Sequence, residues 1–417
     1  MDKKNNRGCS TIFVFLLFII IGYYCYTEYI TPSSLDEEVK EEKKEEHTRT
    51  IMIYMAPSDL ESKWGYATDD LNAINNEIFD FDHNKIVIMA GGTNTWHNNF
   101  TKETSIYEYT KDGIKKIGSA GNYQNMGDYK TLTYFLNFVK NVSTYNSEEY
   151  ILYFYGHGYG VSGVLPDEIY DDNISLTDLA FAISNSSFNY LDNGKRMLDL
   201  VIFNSCMMGT FETYQTLNIF SKYVIASEDL TWFVKGTPLF SVLNDFKSED
   251  DIETIGKKYI DKYKEIANKV YGNHSHNLSL VDTSKFNYSS LYLSNLFNKI
   301  NINIDYEKVK NIRKTMKEFG DEKYIDEVDM YTMMNLFKNY DTDSYNNFKK
   351  EFEETVIYNF TNSSEMNGIS IHFPYFDCTD KEYYMIYNTS LVQYQNNGYY
   401  NFIAKFVDKM KKECNYE

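Results

Sequence analysis

YILYFYGHGYG, residues Tyr150 to Gly160, decides the reading of the fold. Its first seven positions carry no charge and do not alternate polar with apolar. That pattern belongs to a strand covered on both faces, as in the interior of a parallel sheet. The run ends at Gly156-His157-Gly158, where an ionisable ring sits between two residues without side chains. Working outward, RTIMIYMA (Arg49–Ala56), KIVIMAGG (Lys85–Gly92), MLDLVIFN (Met197–Asn204) and KYVIAS (Lys222–Ser227) read the same way. Helical spacing lies between them: Leu71, Ile74 and Ile78 within Asp69–Phe79, and Leu132, Phe135, Leu136 and Val139 within Tyr129–Val142. Leu176–Ile183 and Gly209–Phe220 also read as helices, and Ser105–Thr110 with Gly113–Gly118 as a hairpin. Strands separated by helices predict an α/β fold: a mostly parallel sheet with helices on both faces. Beyond about Asp282 the pattern becomes mainly helical until GISIHFP (Gly368–Pro374), one more expected strand.

In open parallel sheets the reactive residues gather at the carboxyl ends of strands. Two such ends carry chemistry here, Gly156-His157-Gly158 and Asn204-Ser205-Cys206. Neighbouring strands would bring His157 and Cys206 to one rim. A thiol is only slightly ionised at neutral pH, and a nearby imidazole can take its proton and later return it to a leaving amine. Backbone N–H groups of Gly158 and Cys206 are then suited to hold an oxyanion. A lone histidine after an apolar strand is more often structural, and a lone cysteine more often a small buried hydrophobe. The equivalent placement of the two at strand ends is what carries the functional reading.

The residues then resemble the clostripain family of cysteine peptidases, whose caspase–haemoglobinase fold is shared with gingipains, legumains and caspases. The matching stretches are RTIMIYMAPSDLE at Arg49, YILYFYGHGYG, DDNISLTDLAFAI at Asp171 and LDLVIFNSCMMGTFETYQTL at Leu198. VIASEDL at Val224, NLSLVDTSKF at Asn277 and GISIHFP at Gly368 follow in order. The resemblance implies a peptidase acting on peptides or proteins, with His157 and Cys206 as its dyad and a caspase-like domain over 49–285 followed by a C-terminal region over 286–417. One position departs from the pattern. The family usually places Asp two residues before the nucleophile, in the S1 pocket for Arg or Lys, and here Asn204 stands there. An amide cannot neutralise a guanidinium, so a shifted P1 preference is expected. Glu228 and Asp229 are the candidate substitutes, or else surface acids. The same departure leaves a second reading open, a catalytically silent relative that binds peptides or proteins at the cell surface. The family also matures by cleavage between the His and Cys blocks, which makes Lys195-Arg196 a candidate processing site, or simply an exposed basic pair. Some members depend on calcium, and Asp167, Glu168, Asp171 and Asp172 offer hard oxygen ligands for Ca²⁺. Their spacing is not that of an EF-hand, and a solvated acidic loop is the simpler account. The chemistry itself requires no cofactor. His274 and His276 lack a third ligand for zinc.

The chain has 417 residues and a net charge of −19, which disfavours nucleic acid as a partner. Lys3, Lys4 and Arg7 precede the apolar run Thr11–Tyr26, flanked by Tyr23, Tyr24, Tyr26 and Tyr29. No small-residue cleavage motif follows. Residues 1–30 therefore read as a signal anchor in a membrane with the rest of the chain outside, or as a leader of a secreted protein if cleaved. Residues 31–48 form a charged stalk. Cysteine is sparse, with five in all. Cys378 and Cys414 can pair if the domain is extracytoplasmic, or are unrelated thiols.

Overall fold

A computed structural model of the chain describes residues 46–417 except 190, 193–194, 232–237, 271–273, 287, 321–325, 377, 379–396 and 416–417. The expected anchor and all but the end of the stalk lie outside the described residues. Among those described, no helix is long and apolar enough to cross a membrane.

From β1 (Arg49–Ala56) the chain passes through two short helices, α1 (Asp59–Ser62) and α2 (Tyr66–Leu71), into β2 (Asn84–Ala90). The hairpin β3 (Ser105–Thr110) and β4 (Gly113–Ser119) follows, then α3 (Tyr129–Asn141) and β5 (Glu149–Gly156). The small pair β6 (Val164–Asp167) and β7 (Asp172–Ile174) leads to α4 (Leu176–Ser184). Next come the short strands β8 (Leu191–Asp192) and β9 (Lys195–Arg196), then β10 (Leu198–Asn204), α5 (Phe211–Leu217) and β11 (Ser221–Ala226). After α6 (Ile252–Val270) and β12 (Asn277–Asp282) come α7 (Ser289–Asn298), α8 (Ile302–Lys314), β13 (Glu327–Asp329) and α9 (Met330–Phe337). The chain closes with α10 (Thr342–Thr355), β14 (Val356–Thr361), β15 (Ser370–His372) and α11 (Gly398–Glu413).

Nine strands form one sheet in the order β14-β12-β11-β10-β5-β1-β2-β3-β4. Its centre, from β11 to β2, is parallel, as expected for strands joined through helical crossovers. Every residue of β1, β5 and β10 is buried, which is why these strands lack alternation. One face packs Met52, Phe154 and Phe203 under α3, α4, α5 and the helices of the C-terminal region. The other packs Ile53, Tyr155 and Ile202 against α2, α6 and the 3-10 segment Leu239–Asp245. Helix starts are set locally. Ser175 and Asp178 form a capping box at α4, and Thr210 accepts the N–H of Thr213 at α5.

Two expectations change. The helix read over Asp69–Phe79 ends at Leu71. Ile74 is buried beyond it in non-helical chain, and Ile78 is exposed. The GISIHFP strand is reduced to β15, which pairs with β13 outside the main sheet. Residues 46–417 form one compact unit, in which β14 completes the central sheet beside β12.

Candidate active site

β5 and β10 are hydrogen-bonded neighbours, with Tyr155 opposite Asn204. The next positions, His157 and Cys206, therefore leave the sheet at the same level of the same rim. Glycine makes the exit possible. A Cβ on Gly156, whose φ is +151°, would run into the carbonyl of Ala56 on β1. A Cβ on Gly158 would overlap the carbonyl oxygen of Cys206. The two turns are thus in direct backbone contact.

Each turn is pinned from behind. Leu165 N donates to His157 O at 2.9 Å and Tyr159 N to Gly163 O at 2.9 Å. These bonds flank the bridge between Gly158 and Val164 and leave the Gly158 N–H out of it. On the other side Met207 N donates to Asp229 O at 3.1 Å and Gly209 N to Ser227 O at 2.7 Å, tying the cysteine turn to the end of β11. Non-glycine residues with positive φ gather at this rim: Ser58, Leu165, Asp171 and Met207, at +50°, +60°, +53° and +57°. Such backbone costs about 1–3 kcal/mol per residue and persists where the surroundings over-determine it. Met207 follows the cysteine directly, and Ser58 is adjacent to the residue that meets the histidine.

That residue is Asp59, at the start of α1. Its Oδ1 lies 2.7 Å from His157 Nε2, and its Oδ2 lies 3.0 Å from Lys63 Nζ. Partial burial pushes the Asp59 carboxyl up, but hydrogen bonds from His157 and Lys63 outweigh it and hold the group below its ordinary value. Cys206 is half-buried. Thr231 N and Oγ1 donate to its Sγ at 3.4 and 3.6 Å, and Sγ lies 3.3 Å from Thr231 O. Neither Asp59 nor Thr231 was singled out from the sequence. Asp59 carried a signal, a carboxylate directly after a buried strand, whereas Thr231 carried none.

The other expected residues divide. Asn204 is at the same rim, 7 % exposed, on the last position of β10. Glu228 and Asp229, the candidate substitutes for the S1 carboxylate, both bond to the chain around them. Glu228 is fully buried and accepts from Gly368 N and Asn277 Nδ2. Burial first, then neighbouring Asp329, raise its carboxyl well above the usual range. Asp229 Oδ1 accepts from Leu230 N and Gly320 N, and its Oδ2 from Ser275 Oγ, so its oxygens hold the chain in place. Lys195 and Arg196 lie at the start of β10, the opposite end of the strand from Cys206.

A cavity of about 460 Å³ opens beside the imidazole, lined by Ser58, Asp59, His157, Tyr159 and the acidic turn 166–173. Three acids of that turn are tied to the chain around them. Asp167 accepts from Met126 N, Ile169 N and Tyr170 N, and Glu168 from Thr93 Oγ1, Ser62 Oγ and Asn94 N. Asp172 is bonded to Asn125 and Asn173. Among the described residues no three His, Cys, Asp or Glu side chains converge as metal ligands, His274 and His276 included.

Comparison with known proteins agrees with this architecture. The model of the clostripain family matches residues 53–414. Clostripain of Hathewaya histolytica is 21% identical over 445 residues, covering 92% of this chain and 80% of that one. An inactive zymogen C11 protease from Parabacteroides distasonis superposes with a TM-score of 0.61 at 20% identity, over 85% of this chain and 97% of that one. A secreted C11 cysteine protease from Bacteroides thetaiotaomicron, in complex with an irreversible peptide inhibitor, gives 0.57 at 15% identity, over 83% and 98%.

Proposed function

The chain belongs to the clostripain family and is a cysteine peptidase, and from that premise we propose that Cys206 is its nucleophile and His157 its acid–base residue, in an endopeptidase whose P1 preference is shifted away from arginine. The observation that carries this reading is the β5–β10 register, which sets the two residues side by side at one rim with their turns touching. His157 removes the thiol proton, and Sγ attacks the scissile carbonyl. The N–H groups of Gly158 and Cys206 hold the oxyanion. Collapse breaks the C–N bond, and His157 gives its proton to the departing amine. Water, deprotonated by His157, then hydrolyses the thioester and restores the thiol.

Asn204 at the rim supports the specificity part of the proposal. With no carboxylate at that position, and with Glu228 and Asp229 bonded elsewhere, a buried guanidinium at P1 lacks a charge partner and loses a few kcal/mol. The apolar run Thr11–Tyr26 is read as an anchor holding the catalytic unit outside the membrane. The disulfide between Cys378 and Cys414 supports an oxidising location. Lys195-Arg196 remains the proposed processing point. It lies within three residues of Leu198, a tether of at most about 11 Å, while β10 carries Cys206 about 20 Å away. A cut there would therefore come from a second molecule and, since the proposed P1 preference is shifted away from basic residues, from a different peptidase that accepts one.

A digest of a proteome-derived peptide library by the chain from about Thr48, with Cys206→Ala as control, tests the proposal. It predicts internal cleavage without dominance of Arg at P1, and none with the variant. Strong Arg selectivity overturns the specificity, and cleavage by the variant overturns the nucleophile.

A further inference from the structure

We infer that Asp59 is a positioning residue for catalysis: it fixes His157 with Nε2–H on the carboxylate, so that Nδ1 is the nitrogen that exchanges a proton with Cys206. This rests on the dyad proposed above and adds a third member and a tautomer to it. The first observation is the 2.7 Å bond between His157 Nε2 and Asp59 Oδ1. A carboxylate can only accept, and a neutral imidazole has one N–H, so the proton sits on Nε2 and the lone pair on Nδ1. Once Nδ1 has taken the thiol proton, the imidazolium faces a negative charge at hydrogen-bond distance, which favours the thiolate–imidazolium pair.

The second observation is independent of that bond. Asp59 is aimed by a backbone conformation that side-chain-bearing residues rarely adopt, φ +50° and ψ −129° at Ser58. Ser58 is buried, and its carbonyl accepts the Thr93 hydroxyl at 2.9 Å from the end of the neighbouring strand β2. Strain held in place by a second element and spent on the orientation of one carboxylate points to function. The two oxygens are divided, Oδ2 to Lys63 and Oδ1 to the imidazole. Lys63 thereby prevents the carboxylate from swinging both oxygens onto the ring.

The same contact has an opposite use, a latch that draws the imidazole away from sulfur, and one experiment separates the two. Asp59→Asn, Asp59→Glu and His157→Ala are compared with the wild-type chain for kcat and KM on a cleaved peptide, and for the pH dependence of Cys206 alkylation by iodoacetamide. Thermal melts establish that each variant is folded. Positioning predicts that Asp59→Asn lowers kcat by about 10²-fold or more with KM little changed. It also predicts an alkaline shift of the alkylation profile, partial rescue in Asp59→Glu, and no further loss when Asp59→Asn is added to His157→Ala. A folded Asp59→Asn variant with unchanged or raised kcat, or an unshifted profile, overturns the inference. If alkylation of wild-type Cys206 is already indifferent to His157→Ala, the dyad fails and Asp59 with it; if only the Asp59 variants are silent, the dyad stands.

Discussion

Gly158→Ala is the smallest change that tests how the two catalytic turns are held. A methyl group at position 158 overlaps the carbonyl oxygen of Cys206, and it lies 3.0 Å from Met208 Cγ and 3.1 Å from Ser205 Cβ. The side-chain neighbours can give by a few tenths of an ångström. The carbonyl cannot, because it belongs to a turn fixed by Met207 N to Asp229 O and Gly209 N to Ser227 O. Restoring ordinary contact moves the Cys206 backbone by about 1 Å. A displacement of that size at a reacting group costs about 10²-fold in rate, or roughly 2.7 kcal/mol of barrier. Overpacking adds a stability loss of about 1–3 kcal/mol. The assay is kcat/KM on a peptide substrate, normalised to active sites by titration with an irreversible thiol inhibitor, so that misfolded protein is not counted as slow enzyme. Gly118→Ala is the control, since a Cβ there meets nothing within 4 Å. Full activity per titrated site in Gly158→Ala refutes the claim that this contact sets the geometry.

Three further outcomes follow from the same structure. Asn204→Asp places a carboxylate at the end of β10, and the Arg-to-neutral ratio of kcat/KM at P1 should rise at least tenfold; an unchanged ratio removes residue 204 from the S1 pocket. Lys195-Arg196 should stay intact when the purified chain is concentrated and be cut when trypsin is added, whereas self-cleavage there that quickens with concentration contradicts the shifted P1 preference. Burial raises Glu212 to about 7, and burial with adjacent Glu212 raises Glu327 well above its ordinary range. Because these folded-state values lie above the unfolded ones, the native chain keeps protons that the unfolded chain releases. The stability that Glu212 contributes falls as pH rises from about 4.5 to about 7, and Glu327 carries the fall on to the higher pH at which it ionises. Glu212→Gln should therefore gain on the wild type in urea unfolding as pH moves from 5 to 8; a constant difference rules the pair out as its source.

The sheet was legible because its central strands are buried on both faces, and a run such as YILYFYG has no amphipathic alternative. The rim was legible for a related reason: each strand ends abruptly at a residue that core packing does not call for. β14 was missed because VIYNFT is half-buried throughout, mixes aromatic with polar residues and follows α10 without a break. α2 was drawn too long because Leu71, Ile74 and Ile78 keep a helical spacing, although Ile74 packs as irregular chain and Ile78 is exposed. The burial of Glu228 was not legible, because a sequence shows a carboxylate but not how far it lies from solvent. The contacts of Asp59 and Thr231 are made between the ends of different strands, so the one signal in the chain, a carboxylate soon after β1, did not show that Asp59 meets His157, and Thr231 carried no signal at all.

The central claim is that Cys206 and His157 act as one unit at the end of two adjacent strands. Its most direct test is labelling of the native chain with an irreversible thiol-directed peptide probe, followed by mass-spectrometric mapping of the modified residue. The account predicts modification at Cys206 in the wild type and its loss in folded His157→Ala. Modification elsewhere, or equal labelling of Cys206 without the imidazole, contradicts it.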